Sequence, residues 1–452
     1  MVCVDKKFQR PIAFAAAVAI LCLAGGTAHA QPGFGFTRSV GGVSVDVNGV
    51  VSNPEVSEMK ELQAAWQRGL EDVPADLEPW ADLRFVSLRQ LETKIAEARA
   101  AGKPLPDAVR FLAGLQRVRY VLVYPDRQDI VLAGPAEGWR VDTMGNVAGA
   151  TTGRPVLTLD DLLVALRAAE SSNRTGISCS IDPTPEGLQR MQQIAGQLSA
   201  RGGPQAAALQ MEEAVGPQTI TVTGIPATSH FARVIVAADF RMKRLAMNFE
   251  PAAVDGMPSL LHLAKSRRGG LHNAMPRFWL APMYDPLQRD PDGLAWELRG
   301  QGVRCLTEQE FLNQAGQKQK SGGLDPTAQK WADTFTEKFE ELAHEDSSFG
   351  ALRNVMDLAV VGALLVKERL LERSGLEAPN LMNDEPLDAY PAPRMVASKA
   401  SFVKAGRQWI ISVSGGVQIF PWQVADRTEI AANLASVRPE PSGEPSGWYW
   451  QP

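Results

Sequence analysis

The chain has few of the residues that mark the common catalytic and metal centres. Its 452 residues include only 5 histidines and 4 cysteines. It has no Gly-x-Ser-x-Gly turn, no phosphate-binding glycine loop, no Cys-x-x-Cys pair and no His-Glu-x-x-His pair. Each of these motifs holds a nucleophile, a phosphate or a metal ion in a fixed local geometry. The sequence therefore predicts no metal ion and no cofactor, and it identifies no catalytic residue.

Positive charge is scarce as well. The 46 lysines and arginines are outnumbered by 51 aspartates and glutamates, which gives a formal net charge of -5. Non-specific binding to nucleic acid depends on clustered positive charge. We therefore expect no nucleic-acid partner.

Long apolar runs are missing beyond residue 30. The most apolar run, Val355 to Val366, contains Asp357 and is shorter than the roughly 20 residues that span a bilayer. Arg353 lies one helical turn before Asp357 and can pair with it. We expect a buried core helix with a structural ion pair here, and no transmembrane segment in the mature chain.

The first 30 residues differ from the rest and have the features of a signal peptide. Basic residues between positions 6 and 10 precede an apolar stretch from Ile12 to Ala24, and Ala28-His29-Ala30 gives a small-x-small cleavage pattern. Secretory signal peptides share this order of segments. We expect cleavage after Ala30 and an extracytoplasmic mature protein, either periplasmic or secreted.

Cysteine use beyond the signal peptide is limited to Cys179 and Cys305. In an oxidising compartment two such cysteines can form a disulfide. Both lie in short apolar segments that are typical of buried strands, so two buried, unbonded thiols are the alternative. The sequence leaves both possibilities open.

Helix and strand signals interleave along the chain. Asn48-Gly49 predicts a hairpin turn, Ser87 and Thr158 are placed at helix starts as N-caps, and a further helix is placed from Ser229 to Leu245. The helix after Ser229 carries a continuous apolar face, although Val234-Ile235-Val236 would also suit a strand. Because no run of successive βαβ units appears, the prediction is an α+β fold with mixed or antiparallel sheets.

Composition shifts divide the chain into predicted units. Residues 31–150 form an N-terminal α+β unit, and the third helix predicted in this unit lies between residues 106 and 118. A larger α+β unit covers residues 154–315. After a polar linker at residues 317–323, a helical hairpin and a small antiparallel sheet occupy residues 324–435. The sheet is placed between Met395 and Phe420, with a turn signal at Gly415-Gly416.

The last segment, residues 436–452, is rich in Pro, Ser, Gly and Glu. Such a composition cannot build a core, so a disordered tail is predicted. It ends in Trp448, Tyr449 and Trp450, and aromatic residues are enriched at binding hot spots. We expect these three side chains to dock on a surface if the tail has a role.

A basic segment in the centre of the chain is the most distinctive local pattern. Arg241, Lys243 and Arg244 lie close together, and Arg267 and Arg268 follow downstream. Together they predict a surface patch that contacts an anionic ligand or a partner. The simpler interpretation is the solvated face of an amphipathic helix, with Lys243 paired to a carboxylate one turn earlier.

Four segments resemble a known family: Gly41–Asp46, Ala238–Leu245, Pro276–Trp279 and Leu352–Asp357. Together they are similar to a secreted family of planctomycete bacteria known as domain of unknown function 1598. The resemblance extends over most of the mature chain. It implies an exported protein without an established activity and provides no catalytic residues.

These observations favour an exported protein that binds or scaffolds an envelope or extracellular component, such as another extracytoplasmic protein, without catalysis. The alternative is an extracytoplasmic hydrolase with an Asp/Glu pair assembled by the fold, because such a pair leaves no local motif. Two carboxyl groups across a deep pocket would favour the hydrolase. An exposed apolar or basic patch would favour binding.

Overall fold

The described part of the chain begins at the predicted Asn48-Gly49 hairpin and reaches almost to the C-terminus. A computed structural model of the protein describes residues 43–53, 60, 64, 69–142, 145–195, 203–265, 276–307, 325–400, 403–405, 408–410, 413–438 and 449–450. Residues 37–452 group into one compact unit. The predicted signal peptide and the predicted linker at residues 317–323 lie outside the described residues.

Strands occur along the whole described chain. They are β1 (Ser44–Val45), β2 (Val50–Ser52), β3 (Ala81–Ser87), β4 (Tyr120–Tyr124), β5 (Asp129–Ala136), β6 (Trp139–Val141), β7 (Val147–Gly149), β8 (Ile177–Pro183), β9 (Gln218–Thr223), β10 (Arg277–Met283), β11 (Leu287–Arg289), β12 (Ala295–Glu297), β13 (Gly302–Thr307), β14 (Met395–Val396), β15 (Val403–Ala405), β16 (Gln408–Ile410), β17 (Ser414–Ile419), β18 (Thr428–Ile430) and β19 (Tyr449–Trp450).

Helices alternate with these strands. They are α1 (Leu88–Ala101), α2 (Asp107–Arg110), α3 (Leu159–Ala168), α4 (Ser172–Thr175), α5 (Pro185–Ala195), α6 (Gly203–Val215), α7 (His230–Ala246), α8 (Leu260–Lys265), α9 (Pro326–Glu337), α10 (Phe339–Glu345), α11 (Ser347–Lys367), α12 (Leu370–Ser374) and α13 (Pro421–Ala425). Short 3₁₀ turns lie at Leu112–Gly114, Pro125–Arg127 and Ala432–Val437.

Two large sheets organise the strands. The first has the order β1-β2-β14-β9-β8-β17-β10-β13, and the second has the order β18-β11-β12-β4-β5-β3-β19. The pairs β10–β17, β2–β14 and β11–β18 are parallel, and the other described pairs in these sheets are antiparallel. Mixed sheets with packed helices confirm the predicted α+β class.

Helix starts follow the local capping signals. The Ser87 hydroxyl accepts a hydrogen bond from the Gln90 N–H at 3.0 Å, and α1 ends at Gly102 with a left-handed φ of 60°. The Ser229 hydroxyl accepts from the Ala232 N–H at 3.1 Å and begins α7. The alternative of a strand over Val234–Val236 is therefore wrong, because these residues lie inside a capped 17-residue helix.

Helix α11 is the central helix of the core. It contacts α3, α7, α10 and α13, and the first helix of the predicted hairpin is divided at Lys338 into α9 and α10. Among the described residues it is long and apolar enough to cross a membrane by length and composition. Its residues from Ser348 to Leu365 are nearly all buried inside the protein. The position confirms the predicted core helix.

The small C-terminal sheet is confined to β15 and β16, which pair antiparallel. Strands β14 and β17 belong to the first large sheet instead. Gly415 and Gly416 do not form a turn but lie inside β17. A Cβ atom on Gly415 would stand 1.7 Å from the Phe278 carbonyl oxygen, and one on Gly416 would stand 1.9 Å from the Cys179 carbonyl oxygen. Glycine is needed because the flanking strands approach too closely for a side chain.

The first large sheet takes strands from all three predicted units, for example β2, β8 and β17. One other prediction needs correction. The third helix between residues 106 and 118 shortens to α2, because Leu112, Ala113 and Gly114 all have positive φ. Three successive left-handed residues end an α-helix.

Candidate functional site

A pocket opens where the N-terminal ends of α3 and α7 approach α11. It encloses about 90 Å³. One water molecule takes about 30 Å³ in the liquid, so the pocket has room for a small functional group rather than for a whole drug-sized molecule. Its polar lining includes Thr158, Asp160, Asp161, His230, Asn354 and Tyr390.

The cap of α3 fixes one carboxylate in this pocket. The Thr158 hydroxyl accepts a hydrogen bond from the Asp161 N–H at 3.2 Å and donates to Asp161 Oδ2 at 2.8 Å. A threonine followed three residues later by an acidic residue is a local start signal for a helix. The cap leaves the Asp161 carboxylate only 4% exposed, with its position set by its own helix.

Asp161 then orients His230, the first residue of α7. The imidazole Nδ1 lies 2.9 Å from Asp161 Oδ2 and 3.0 Å from Oδ1. A carboxylate only accepts hydrogen bonds, so Nδ1 carries the proton. Burial lowers the pKa of His230, but the Asp161 carboxylate outweighs it and the pKa is raised. An imidazole held in this way can act as an acid or a base at its other nitrogen.

Asp160, the residue before Asp161, has fewer hydrogen-bond partners for its carboxylate. Its Oδ2 atom is buried and has no hydrogen-bond partner among the described residues. Burial, reinforced by the adjacent Asp161 carboxylate, raises the pKa of Asp160 to about 6, although His230 opposes the change. Arg167 interacts electrostatically with Asp160, but no hydrogen bond joins the two side chains. Asp160 therefore presents an unused acceptor to the pocket.

Asn354 of α11 provides a second unused acceptor. Its Nδ2 atom donates to the Pro155 carbonyl at 2.8 Å. Because that carbonyl cannot donate, the amide orientation is fixed and Oδ1 faces away from it. Asn354 is 4% exposed, and Oδ1 has no hydrogen-bond partner within the described chain. Buried polar atoms are normally hydrogen-bonded, so an orphaned acceptor needs an explanation.

Two other charged groups near the pocket, Arg110 and Arg233, have partners. Arg110 Nη2 lies 2.5 Å from Asp388 Oδ2 at the rim. The guanidinium carbon of Arg233 lies 5.5 Å from the centre of the Tyr390 ring, and the His230 ring lies 5.8 Å from that ring. The pocket as a whole thus offers acceptors and one incompletely compensated carboxylate, and it selects for groups that donate hydrogen bonds.

The predicted basic patch is wrong for the three residues that the structure describes. Arg241 pairs with Glu250 and with Asp346, and Arg244 also pairs with Glu250. The Lys243 ammonium donates to Asp239 at 2.8 Å and to two backbone carbonyl oxygens. Internal partners use this charge, so no cationic surface is left for an anion.

Arg267 and Arg268 complete the predicted basic patch. Both lie outside the described residues.

Cys179 and Cys305 are buried and do not form a disulfide. They lie in β8 and β13 of the first sheet, separated by β17 and β10. Three strand spacings place the Cα atoms about 14 Å apart, which is beyond the roughly 7 Å that a disulfide allows. Of the two possibilities that the sequence leaves open, the disulfide is therefore wrong, and the two cysteines are buried, unbonded thiols.

The tail is ordered at two of its three predicted docking residues. Tyr449 and Trp450 form β19, which pairs with β3 of the same chain, while Trp448 lies outside the described residues. Burial, a hydrogen bond to Asp76 and the Asp76 charge raise the pKa of Tyr449 to about 12. Disorder is therefore wrong at these two positions, and the predicted docking of Tyr449 and Trp450 occurs on the chain itself, where Trp450 stacks on Phe85.

Asp357 forms the predicted structural ion pair with a different arginine. Arg117 Nε donates to Asp357 Oδ2 at 3.0 Å, and the Tyr284 hydroxyl donates to Oδ1 at 2.7 Å. Although burial alone would lower it, the Asp357 charge raises the pKa of Arg117. Arg353 pairs with Glu340 instead. Arg117 and Tyr284 thus hold the buried Asp357 carboxylate, which supports a structural role for this ion pair.

Metal ligands do not cluster in the described part of the chain, where no group of three or more His, Cys, Asp or Glu side chains could hold an ion. The pocket itself contains one histidine and three aspartates, Asp160, Asp161 and Asp388. These side chains are suited to acid–base chemistry or to binding a cation.

The fold and the pocket thus define an α+β protein with a small acidic pocket at two helix N-termini. A family model described as a protein of unknown function, DUF1598, matches residues 179–260. Of the four segments that carried the resemblance, only Ala238–Leu245 falls within this match. Comparison with curated proteins and with solved structures gave no match.

The pocket residues were not identified as a site from the sequence. Thr158 and the acids after it were recognised as a helix start, and His230 was one of few histidines. Asp161 and His230 are 69 residues apart in the chain, so no local spacing joins them. The signal in the sequence that could have identified this site was an ionisable residue in the first turn of each of two capped helices, α3 and α7. The family match contains His230 but neither aspartate.

Proposed function

We propose that the protein is an extracytoplasmic, non-catalytic binding protein that takes a small organic cation with N–H donors into the pocket at the N-termini of α3 and α7. One observation carries the proposal. Asp160 and Asn354 line the same pocket, and each has a buried acceptor, Oδ2 and Oδ1 respectively, without a partner among the described residues. Leaving such acceptors unpaired costs about 1–3 kcal/mol each, and a donor in the pocket would recover that cost.

Charge selects a cation over a neutral donor. Asp161 is paired with His230, and Asp388 is paired with Arg110. Asp160 is the pocket carboxylate without an ion pair in the described chain, since Arg167 acts on it electrostatically but forms no hydrogen bond with it. A primary ammonium or a guanidinium group supplies both the charge and the hydrogens, whereas a quaternary ammonium supplies the charge alone. The size of the pocket suits the head group of such a molecule.

Thermal unfolding of the purified chain with a set of amines tests this proposal. Agmatine and putrescine should raise the melting temperature, because a ligand that binds only the folded state stabilises it. Choline, a cation without N–H donors, should not. Asp160→Asn and Asn354→Leu should each remove the shift, whereas Asp255→Asn, at an exposed acid outside the pocket, should keep it. Equal shifts for choline and agmatine, or a full shift in Asp160→Asn, would contradict the proposal.

Export is part of the same proposal. The basic start, the short apolar stretch and Ala28-His29-Ala30 support cleavage of residues 1–30, and the resemblance to a secreted planctomycete family agrees with it. The ligand would then be a free molecule or a group displayed by an envelope component. N-terminal sequencing of the protein from an extracytoplasmic fraction should begin at Gln31. Recovery of the intact chain from the cytoplasm would contradict export.

A hydrolase is the second candidate, because the Asp161–His230 pair favours it. An imidazole oriented through Nδ1 by a buried carboxylate can take a proton from water at Nε2. His230→Gln should abolish turnover of an ester or glycoside library if this candidate is correct. Absence of turnover in the wild-type chain would leave binding as the function, whereas turnover that survives in His230→Gln would contradict the role of His230 as the base.

A further inference from the structure

A long segment without helix or strand forms one wall of the pocket. It connects α12 with β14 and runs from Leu376 to Arg394. Three of its residues, Leu387, Asp388 and Tyr390, line the pocket, and the other lining residues belong to or adjoin α2, β7, α3, α7 and α11. This wall therefore lacks the regular backbone hydrogen bonds that hold a helix or a sheet together.

Residues 382–389, here called the strap, include no buried residue. The chain is held at both ends of the strap. The Glu92 carboxylate accepts a hydrogen bond from the Leu381 N–H at 2.8 Å. At the other end, the Tyr390 N–H donates to the Thr228 carbonyl at 3.0 Å. Local opening costs least where few apolar groups are buried, so the strap is able to open between these two ends while the core stays folded.

The two acceptors of the proposed cation site require such an opening. Asp160 Oδ2 and Asn354 Oδ1 are both buried, so a ligand reaches them only after part of the pocket wall has moved. The wall near β7 is held to α11. Asn354 Nδ2 donates to the Pro155 carbonyl at 2.8 Å, and Asn146 Nδ2 donates to the Ser347 hydroxyl at 2.9 Å. We therefore expect the strap to open before this other part of the described wall.

The closed strap also brings two carboxylates near each other. Besides burial and the Asp161 charge, the charge of Asp388 raises the pKa of Asp160, so Asp388 and Asp160 repel each other. Arg110 Nη2 lies 2.5 Å from Asp388 Oδ2 and offsets part of this repulsion. A cation at Asp160 would offset more of it, so a bound ligand favours the closed strap.

We propose that the strap is a gate that opens to admit the ligand and closes over it, with the Arg110–Asp388 ion pair as its latch. Closure over a ligand rests on the proposed function, whereas opening is a property of the chain alone. The closed gate keeps water away from the bound cation. Its attraction to Asp160 is then stronger, because the local dielectric constant is lower than in water.

Thiol labelling inside the pocket tests the opening without a ligand. An Asn354→Cys chain is treated with methyl methanethiosulfonate, and the labelled residues are identified by peptide mass spectrometry. The introduced thiol should react at least tenfold faster than the buried Cys179 and Cys305, which report global unfolding in the same sample. Met356→Cys, on the same helix, fully buried and outside the pocket lining, should react only as fast as they do. A rate for Asn354→Cys equal to that of the native cysteines would overturn the gate.

Arg110→Met tests whether the strap is the path to the pocket. Added to Asn354→Cys, it removes the latch and leaves Asp388 to repel Asp160, so labelling should accelerate at least fivefold. Arg174→Met, at an exposed arginine outside the pocket lining, should leave the rate unchanged. An unchanged rate in Arg110→Met would overturn the assignment of the gate to the strap.

Hydrogen exchange of the wild-type chain with agmatine tests closure. Saturating agmatine should slow exchange of the strap amides at least fivefold and leave β18, which lies outside the pocket lining, unchanged. Agmatine that binds without slowing the strap amides would overturn closure over the ligand. If agmatine does not bind, the proposed ligand is wrong and closure over it is wrong as well, while the labelling rates still decide whether the strap opens.

Discussion

Ionisable side chains lie at both ends of helix α7, but they have found hydrogen-bond and ion-pair partners to different degrees. Towards its C-terminal end, Lys243 has three acceptors and Arg241 and Arg244 share Glu250 and Asp346. At its N-terminal end, His230 has Asp161, but the adjacent Asp160 keeps an unused buried oxygen. The sequence drew attention to the basic end. The geometry draws it to the other end, because binding needs groups that the fold has not already paired.

The basic end holds the helix to the first sheet. Lys243 is 11% exposed, and its ammonium reaches the carbonyl oxygens of Ile181 in β8 and Gly415 in β17. Asp239 is fully buried and accepts from Lys243 through Oδ2, although its Oδ1 has no partner among the described residues. Burial raises the pKa of Asp239 to about 6 against the opposing Lys243 charge.

The largest effect should come from Lys243→Met. It leaves the buried Asp239 carboxylate without its cation, a change that typically costs about 3–5 kcal/mol. Urea unfolding at pH 7.5 should show this loss, and a smaller loss at pH 5, where Asp239 can be neutral. Lys94→Met, at an exposed pair with Glu97, should cost less than about 0.5 kcal/mol. A loss below about 1 kcal/mol for Lys243→Met would remove the distinction between the two ends.

The next effect should come from His230→Gln at the pocket. The raised pKa of His230 means that its pairing with Asp161 stabilises the fold fully below the unfolded value of about 6.5. That contribution is lost as the pH rises through the higher folded pKa. We expect a loss of about 2 kcal/mol at pH 5.5, as for a hydrogen bond between charged groups, and a smaller loss at pH 9. A pH-independent loss would mean that the pair does not titrate.

Asp160→Asn should have a smaller effect of the opposite sign. The pKa of Asp160 is raised to about 6 from 3.8, so its charged form costs stability as the pH rises through this range. Its removal should stabilise the chain by about 1 kcal/mol at pH 7.5, after allowance for partial solvation, and by less at pH 4.5. Such a gain with loss of ligand binding is typical of a functional site. Destabilisation at pH 7.5 would mark Asp160 as structural.

The smallest effect should come from Arg241→Gln combined with Arg244→Gln. Because both guanidinium groups have internal carboxylate partners, elution of the variant from a heparin column should match the wild type. Arg174→Gln, at an exposed arginine, should shift elution slightly and serves as the control. A larger shift for the double variant than for the control would restore the basic patch as a binding surface.

Local signals in the sequence predicted where helices begin, but they did not predict which strands lie next to each other in a sheet. The caps at Ser87, Thr158 and Ser229 begin helices where expected, since a cap is a contact between residues three positions apart. The position of β17 depends on β8 and β10, which are more than 100 residues away in the chain. Because no local signal reports these strands, Gly415-Gly416 alone predicts a turn. Glycine serves a turn and a close strand approach equally well, so the residue type alone cannot distinguish them.

The pocket was out of reach of the sequence for the same reason. Asp161 and His230 each follow a recognisable cap, but their meeting depends on how α3 and α7 pack against α11. Asn354 lies on a helix that the apolar pattern predicted well, and nothing in that pattern distinguishes it from the other buried positions. The basic segment was prominent because its charges are consecutive, whereas their partners Glu250 and Asp346 are spread along the chain.

Isothermal titration calorimetry with agmatine tests the central claim most directly. The wild-type chain should bind one equivalent at pH 7.5. Binding should be at least tenfold weaker at pH 5, where Asp160 is protonated, and at least tenfold weaker in Asp160→Asn at pH 7.5. Binding with the same affinity in wild type and Asp160→Asn, or with no dependence on pH, would contradict the claim that the unpaired Asp160 carboxylate makes this pocket a cation site.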